Sequence, residues 1–176
     1  VLPLEGTKIK ILNPDENGVG EVLVKGPQVM LGYYKNSSAT KRAMLNGYFR
    51  TGDLGCIKDN GCLKIIGRQK NTIVLSNGKK IYPEEIESLL LTSPAIKDVI
   101  VHSIDSKRGH KVCASIELPD SITASERINF ENEARQHVRA INGTLASYEQ
   151  IQTIIIRDID FVRTSTLKVK RHLINA

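Results

Sequence analysis

Turn chemistry cuts the first third of this 176-residue chain into runs too short for helices. "NPDENG" at 13–18, "KGP" at 25–27 and "KDNG" at 58–61 supply the backbone angles that tight reversals demand. Between them, Thr7 to Leu12, Gly20 to Lys25 and Gly61 to Ile66 are β-branched or alternating, the pattern of short strands. One short helix is expected over Ala39 to Leu45. In "GYFRTGDLG", Tyr48 and Phe49 and the run after Leu54 also read as strand, so Asp53 is expected at a corner where one strand hands over to the next. The first third is therefore mainly β, part of a barrel-like sheet.

After "GRQKN" the pattern changes. "NTIVLSNGKKIYP" reads as a hairpin about Asn77-Gly78, with Gly78 as the left-handed residue of a type I′ turn. Pro83 suits the first position of a helix running to about Leu91, and Glu84, Glu85 and Glu87 favour the positive end of its dipole. "IKDVIVHSI" and "KVCASIEL" are two strands. Thr123 and Glu126 form a capping box ahead of a helix in which Phe130, Ala134, Val138 and Ile141 recur at helical spacing, and "TIIIRDI" is a final strand. Helix, strand, strand, helix, strand on one sheet predicts a small α+β domain. The boundary falls between Gly67 and Asn71, a short polar connection with the character of a hinge.

Composition narrows the function classes. The longest apolar runs fall far short of the roughly 20 residues a membrane span requires. No charged-then-apolar leader opens the chain, and "VLPLEG" without an initiator Met reads as the start of a piece of a longer protein. Cys56, Cys62 and Cys113 lack zinc-knuckle spacing and read as reduced core residues, so no metal site is expected and a cytoplasmic location is. The net charge is +6, but Val1 to Gly67 carries 9 basic and 6 acidic residues and the rest 16 and 13, so each part is only +3. The one concentration is Arg163, Lys168, Lys170 and Arg171. With aromatics at 5% and no Trp to stack on bases, nucleic acid is not the expected partner.

Asp53 is the first candidate for chemistry. A carboxylate accepts two hydroxyl donors at once, which suits a ribose diol, and Gly52 before it lets a ligand approach the backbone. The same acid also serves as a turn cap, and the tripeptide alone does not separate the two.

Four blocks in order do separate them: "GEVLVKGPQVMLGYYKN" (20–36), "GYFRTGDLG" (47–55), "IIGRQKNTIVLSNGKKIYPEEIE" (65–87) and "RTSTLKVKR" (163–171). Together they resemble the adenylate-forming (AMP-binding) superfamily of acyl-CoA synthetases, luciferases and peptide-synthetase adenylation domains. The spellings "GKKIYPEEIE" and "TSTLKVKR" are most similar to the C-terminal part of bacterial long-chain fatty acid CoA ligases. The resemblance implies that residues 1–68 end a distorted β-barrel domain and that 69–176 form an α+β lid. It implies that Asp53 and Arg68 bind the ribose of ATP and AMP, and that Lys70 is the hinge residue. It further implies that Gly78, Lys79 and Lys80 border the CoA tunnel, and that Lys168 meets the substrate carboxylate and α-phosphate. Leu167 departs from the family, many of whose members carry Gly there. Tyr33 and Tyr34 are assigned packing, and the four histidines are assigned nothing.

ATP, CoA and Mg2+ are then the expected cofactors of a full-length ligase acting on a fatty acid, with none held tightly by this chain alone. The family's phosphate-binding loop and its adenine and magnesium contacts are expected before Val1, in an N-terminal domain that is the chain's partner, so the chain alone is expected to be inactive. Membrane contact is expected to be peripheral at most. Two alternatives remain: a ligase for another carboxylic acid or a carrier-protein thiol, and a stand-alone lid-like module that binds a protein.

Overall fold

The computed structural model describes residues 2–106 and 109–174 and divides into two compact units, Val1–Thr72 and Ile73–Ala176. The first contains β1 (Lys8–Leu12), β2 (Gly20–Lys25), α1 (Ser37–Ala43), β3 (Met44–Leu45), β4 (Tyr48–Ile57) and β5 (Leu63–Arg68). Its five strands form one antiparallel sheet, in the order β1-β2-β4-β3 with β5 also on β4.

Strand β4 organises this sheet. One edge carries β2 from Phe49 to Gly55; the other carries β3 at Tyr48 and Phe49 and then β5 from Asp53 to Ile57. A strand that changes partner halfway must bend. Gly52 supplies the bend at φ +70°, and the pairing with β5 slips between Leu54 and Gly55. Such breaks in a ladder raise the local twist, which is how this sheet curls like part of a barrel. Where Gly20 of β2 pairs with Gly55 of β4, only glycine fits: a Cβ on Gly20 would lie 2.3 Å from the Leu12 carbonyl oxygen, and one on Gly55 2.6 Å from that of Lys64. Val19, Val22, Leu23, Leu54, Cys56 and Ile66 are buried.

Three expectations for this unit are corrected. Asp53 is not at a corner between strands but inside β4, because the positive φ of Gly52 bends the strand without ending it. Helix α1 begins two residues early, where the Asn36 side chain accepts from the Ala39 N–H at 2.9 Å. It stops at Ala43 because Met44 and Leu45 pair with β4. Tyr33 and Tyr34 do not pack: Tyr34 is 88% exposed, with the Lys35 ammonium over its ring.

The second unit contains β6 (Ile73–Val74), β7 (Lys80–Ile81), α2 (Pro83–Leu90), β8 (Asp98–Ser106), β9 (Gly109–Glu117), α3 (Ala124–Asn142) and β10 (Thr153–Ile156). β6 and β7 form a small hairpin. β8, β9 and β10 form a sheet ordered β10-β9-β8, with β8 antiparallel and β10 parallel to β9. Pro83 opens α2, and α3 starts at the capping box, where the Thr123 N–H donates to Glu126 Oε2 at 2.8 Å. Ala134 and Val138 of α3 and Ile86 and Leu90 of α2 cover the sheet residues Val99, Val101, Val112, Ala114 and Ile116 in one apolar core. The chain therefore has the α+β architecture expected: a curled sheet followed by a small unit of two helices, a three-stranded sheet and a short hairpin.

Candidate functional site

In the first unit, Asp53 and Arg68 face each other in register across β4 and β5. The Arg68 Nε lies 2.8 Å from Asp53 Oδ1, and Arg68 Nη1 donates to the Thr51 carbonyl at 3.0 Å. Thr51 holds the other side: its hydroxyl donates to the Val22 carbonyl at 2.8 Å and accepts from the Asp53 N–H at 3.0 Å. The carboxylate is thus aimed by two strands, yet its side chain is 29% exposed and that of Arg68 47%. Thr51 was assigned nothing from sequence. Its position two residues before the acid, across a glycine, is the available signal. The result is an acceptor and a planar donor, side by side at a bend whose Gly52 would carry a Cβ with nothing within 4 Å. Such a pair can hold a polyol or a sugar hydroxyl.

Lys70 is exposed and sits in a single 3-10 turn, Gln69–Asn71, directly after β5 and just before the second unit begins at Ile73.

In the second unit, Gly78 and Lys79 lie at the tip of the β6–β7 hairpin and Lys80 opens β7, but the turn is not of the type expected. The Leu75 N–H donates to the Lys79 carbonyl at 2.9 Å and the Gly78 N–H to that of Leu75 at 2.9 Å. Gly78 has φ +80° and Asn77 does not have a positive φ. This is a three-residue loop closed by a bulge glycine; a two-residue type I′ turn requires positive φ at both central residues. The Asn77 side chain favours it by accepting from the Lys79 N–H at 3.1 Å. Lys79 places its ammonium 4.3 Å from the centroid of the Tyr148 ring, while Lys80 is exposed.

Lys168 stands on a second hairpin of the same construction. The Thr164 N–H donates to the Lys168 carbonyl at 2.8 Å, the Leu167 N–H to that of Thr164 at 2.9 Å, and Arg163 bridges to Val169. Leu167, at φ +62°, occupies the place that Gly78 holds in the first loop. The Lys168 side chain is exposed and its ammonium has no partner among the described residues.

The neighbouring cations differ. Arg163 Nη2 donates to Asp98 Oδ2 and Glu117 Oε2, each at 2.9 Å. Arg171 pairs with both oxygens of Glu87, through Nη1 at 2.8 Å to Oε1 and through Nη2 to Oε2. Two of the four cations in the basic run thus lie against buried carboxylates. Burial pushes the Glu87 carboxyl above its ordinary range, and Arg171 only partly offsets that. Burial acts on Glu117 too, but hydrogen bonds from Lys97, the Phe161 N–H and Arg163 together outweigh it and hold that carboxyl low.

Glu117, Asp120 and Asp160 form the one acidic triplet with metal-ligand spacing among the described residues. The Lys97 ammonium occupies its centre, 2.6 Å from Glu117, 2.5 Å from Asp120 and 3.4 Å from Asp160. A cation is already supplied there, so the group does not fit a metal ion.

Comparisons with known proteins match the chain to one family. The profile described as "AMP-binding enzyme C-terminal domain" matches residues 70–176. A 2-succinylbenzoate–CoA ligase of Bacillus licheniformis is 37% identical over 72% of the chain and 27% of its own length. A chloroplastic long-chain-fatty-acid–[acyl-carrier-protein] ligase of Arabidopsis thaliana is 32% identical over 99% of the chain and 27% of its own length. Among solved structures, the o-succinylbenzoate CoA synthetase of Bacillus subtilis in complex with ATP and magnesium ion superposes with a TM-score of 0.75 at 31% identity, over 99% of the chain and 35% of that structure. The chain thus spans about a quarter to a third of the length of these relatives.

Proposed function

This chain belongs to the AMP-binding, adenylate-forming enzymes, matching their C-terminal part, and from that premise we propose that it serves an ATP-dependent ligase joining a fatty acid to CoA. The observation that carries the reading is the Asp53–Arg68 pair, an exposed acceptor and donor set side by side by two strands beside Gly52. We read residues 1–68 as the end of the barrel domain and 69–176 as the lid, with an N-terminal domain completing the enzyme.

In the first step a carboxylate oxygen of the fatty acid attacks the α-phosphorus of ATP, the bond to the bridging oxygen breaks, and pyrophosphate leaves acyl-AMP. Asp53 accepts from the ribose hydroxyls and Arg68 donates beside it. Lys168 sets its ammonium against the charge developing on the α-phosphate, an effect worth about 3 to 4 kcal/mol for one donor. In the second step the CoA sulfur attacks the acyl carbonyl carbon and AMP departs. Gly78, which has no side chain, borders the pantetheine chain; Lys80, whose ammonium has no partner among the described residues, and Lys79 meet CoA phosphates. Lys70 changes its backbone angles between the two steps. Mg2+ accompanies ATP, and the residues described here are assigned no part in holding it. No helix among the described residues is long and apolar enough to cross a membrane; we place the enzyme in the cytoplasm, with peripheral membrane contact at most.

The test is pyrophosphate exchange by the full-length enzyme with a panel of acids. Lys168→Ala slows exchange roughly a hundredfold to a thousandfold but spares thioester formation from supplied acyl-AMP; equal loss of both half-reactions removes this role. Lys70→Pro leaves exchange and stops transfer to CoA; unaltered transfer places the hinge elsewhere. The relatives' names favour two variants of the reading, 2-succinylbenzoate as the acid and a carrier-protein thiol as the acceptor. Exchange stimulated by 2-succinylbenzoate and not by palmitate selects the first, and acylation of carrier protein in place of CoA the second.

A further inference from the structure

The hairpin bearing Lys168 has too few contacts of its own to hold a fixed position. Its tip, Ser165 to Lys168, is exposed, and what gives it shape is local: the backbone bonds already given, a Lys168 N–H to Thr164 hydroxyl contact at 3.2 Å and a hydroxyl contact between Thr164 and Thr166 at 3.0 Å. Both arms of the hairpin, however, end on carboxylates that the body of the second unit buries. On one arm, Glu117 at the end of β9 takes the Arg163 guanidinium at 2.9 Å and the Phe161 N–H at 3.1 Å through the same oxygen, while Lys97 holds the other. On the other arm, Glu87 of α2 takes Arg171 through both oxygens and also accepts from the Val101 N–H at 2.7 Å. Val101 lies in β8, an edge strand of the sheet, so Glu87 ties helix, sheet edge and tail at one point. Both side chains are less than a tenth exposed; the Arg171 fork on Glu87 has a fixed geometry that a lysine point charge lacks, and Arg163 spans Glu117 and Asp98 through one Nη2.

We propose that Glu87 and Glu117 are positioning residues for Lys168: acting through Arg171 and Arg163, they clamp the two arms of its hairpin to helix α2 and strand β9. The inference rests on the reading of Lys168 as the group that assists adenylation. An ammonium that contributes only when it sits against a developing charge is sensitive to misplacement of an ångström, so loosening either clamp lowers the rate of adenylation while nucleotide binding persists.

Four variants of the full-length enzyme test this: Glu87→Gln, Glu117→Gln, Arg171→Lys and Lys168→Ala, with Glu87→Gln/Lys168→Ala as the double. Glu87→Gln keeps the shape and the acceptor for Val101 but removes the charge. Each clamp variant is expected to lose at least tenfold in kcat of pyrophosphate exchange, with KM for ATP changed less than twofold and thioester formation from supplied acyl-AMP within twofold of wild type. Arg171→Lys, which keeps charge without the fork, is expected to lose less than Glu87→Gln. The double variant is expected to be no slower in exchange than Lys168→Ala alone, because a group acting only through Lys168 has nothing to add once the ammonium is gone. Loss of both half-reactions together, or multiplicative losses in the double, makes the clamps merely structural and overturns the proposal. Wild-type exchange in Glu87→Gln or in Glu117→Gln overturns it as well. Lys168→Ala retaining full exchange refutes instead the reading on which the proposal rests, and so separates the two failures. Should Glu87→Gln lose its thermal transition, Arg171→Lys carries the same comparison.

Discussion

Leu167 and Gly78 close two loops of one design, and two substitutions at the first with one at the second decide whether the backbone there is strained. An L-residue at positive φ costs roughly 1–2 kcal/mol, because Cβ approaches the following carbonyl oxygen; Leu167 sits at φ +62° and Gly78 at +80°. Replacing Leu167 by Gly removes that cost but gives the unfolded chain more freedom, a loss of about 0.4–1 kcal/mol. Side-chain burial is lost as well, and the 78% exposure of Leu167 makes that share small. Leu167→Ala loses the same burial and keeps the strain, so the informative quantity is the difference between the two variants. Gly is expected to be more stable than Ala by about 0.5–1 kcal/mol, whereas at an ordinary helical or strand position Ala is the more stable by a similar amount. Gly78→Ala is expected to destabilise by the same amount, about 0.5–1 kcal/mol, which is what remains when the strain of a Cβ at positive φ is set against the freedom removed from the unfolded chain. Collision does not confound it, because a Cβ there meets nothing within 4 Å. Urea unfolding reads these values: with a slope of about 1–2 kcal/mol/M, the midpoints of Leu167→Gly and Leu167→Ala differ by roughly 0.3–1 M, Gly higher. An Ala variant as stable as the Gly variant or more so refutes the reasoning.

Four further outcomes are expected. Glu117→Gln leaves Lys97 and Arg163 without their shared carboxylate and destabilises the second unit by about 3 kcal/mol at pH 7. Because the native carboxyl of Glu117 is held low, that contribution is present above its ordinary value and is lost as pH falls through the native one, so urea midpoints of wild type and variant converge below about pH 4 and a constant gap contradicts the assignment. Asp53→Asn in the full-length enzyme removes a charged acceptor and raises KM for ATP about tenfold to a hundredfold, checked by pyrophosphate exchange at varied ATP. The Cys113 thiol, with no exposure and pushed up to about 11 by burial, resists iodoacetamide at pH 8 in the native chain while half-buried Cys62 is labelled, as mass spectrometry of the digested protein shows. With Arg163 and Arg171 committed to carboxylates, Lys168 and Lys170 leave about two charges for phosphates, so anisotropy with a labelled 20-mer DNA shows no retained binding at 150 mM salt; tight binding there revives the nucleic-acid reading.

What could be read from the sequence was whatever depends on near neighbours along the chain. The capping box joins residues three apart, the stripe of α3 repeats every three or four, and Pro83 before three glutamates marks a helix start by itself; each appears in the structure. The loop at Gly78 shows where this stops. Asn-Gly suits both a type I′ turn and a three-residue bulged loop, and the choice depends on whether Leu75 or Ser76 faces Lys79, a matter of strand register. Asp53 and Arg68 were both named, but their pairing requires β4 to bend at Gly52 and continue, where an acid after a glycine reads as the end of a strand. The partners of the basic run lie out of local reach for a related reason. Arg163 and Arg171 find carboxylates 46 and 84 residues away, and no local count of charges distinguishes a guanidinium held by a buried acid from one in water. The same pairing sets Lys168 apart from the arginines that flank it. Within "RTSTLKVKR" the two cations that fold back onto the second unit are the forked ones, suited to buried carboxylates, and the one left exposed at the tip is a flexible point charge. Exchanging the types, Arg at 168 and Lys at 163 and 171, would keep every charge in the motif and lose both the clamp and the reach, which is why charge composition alone could not have assigned the roles.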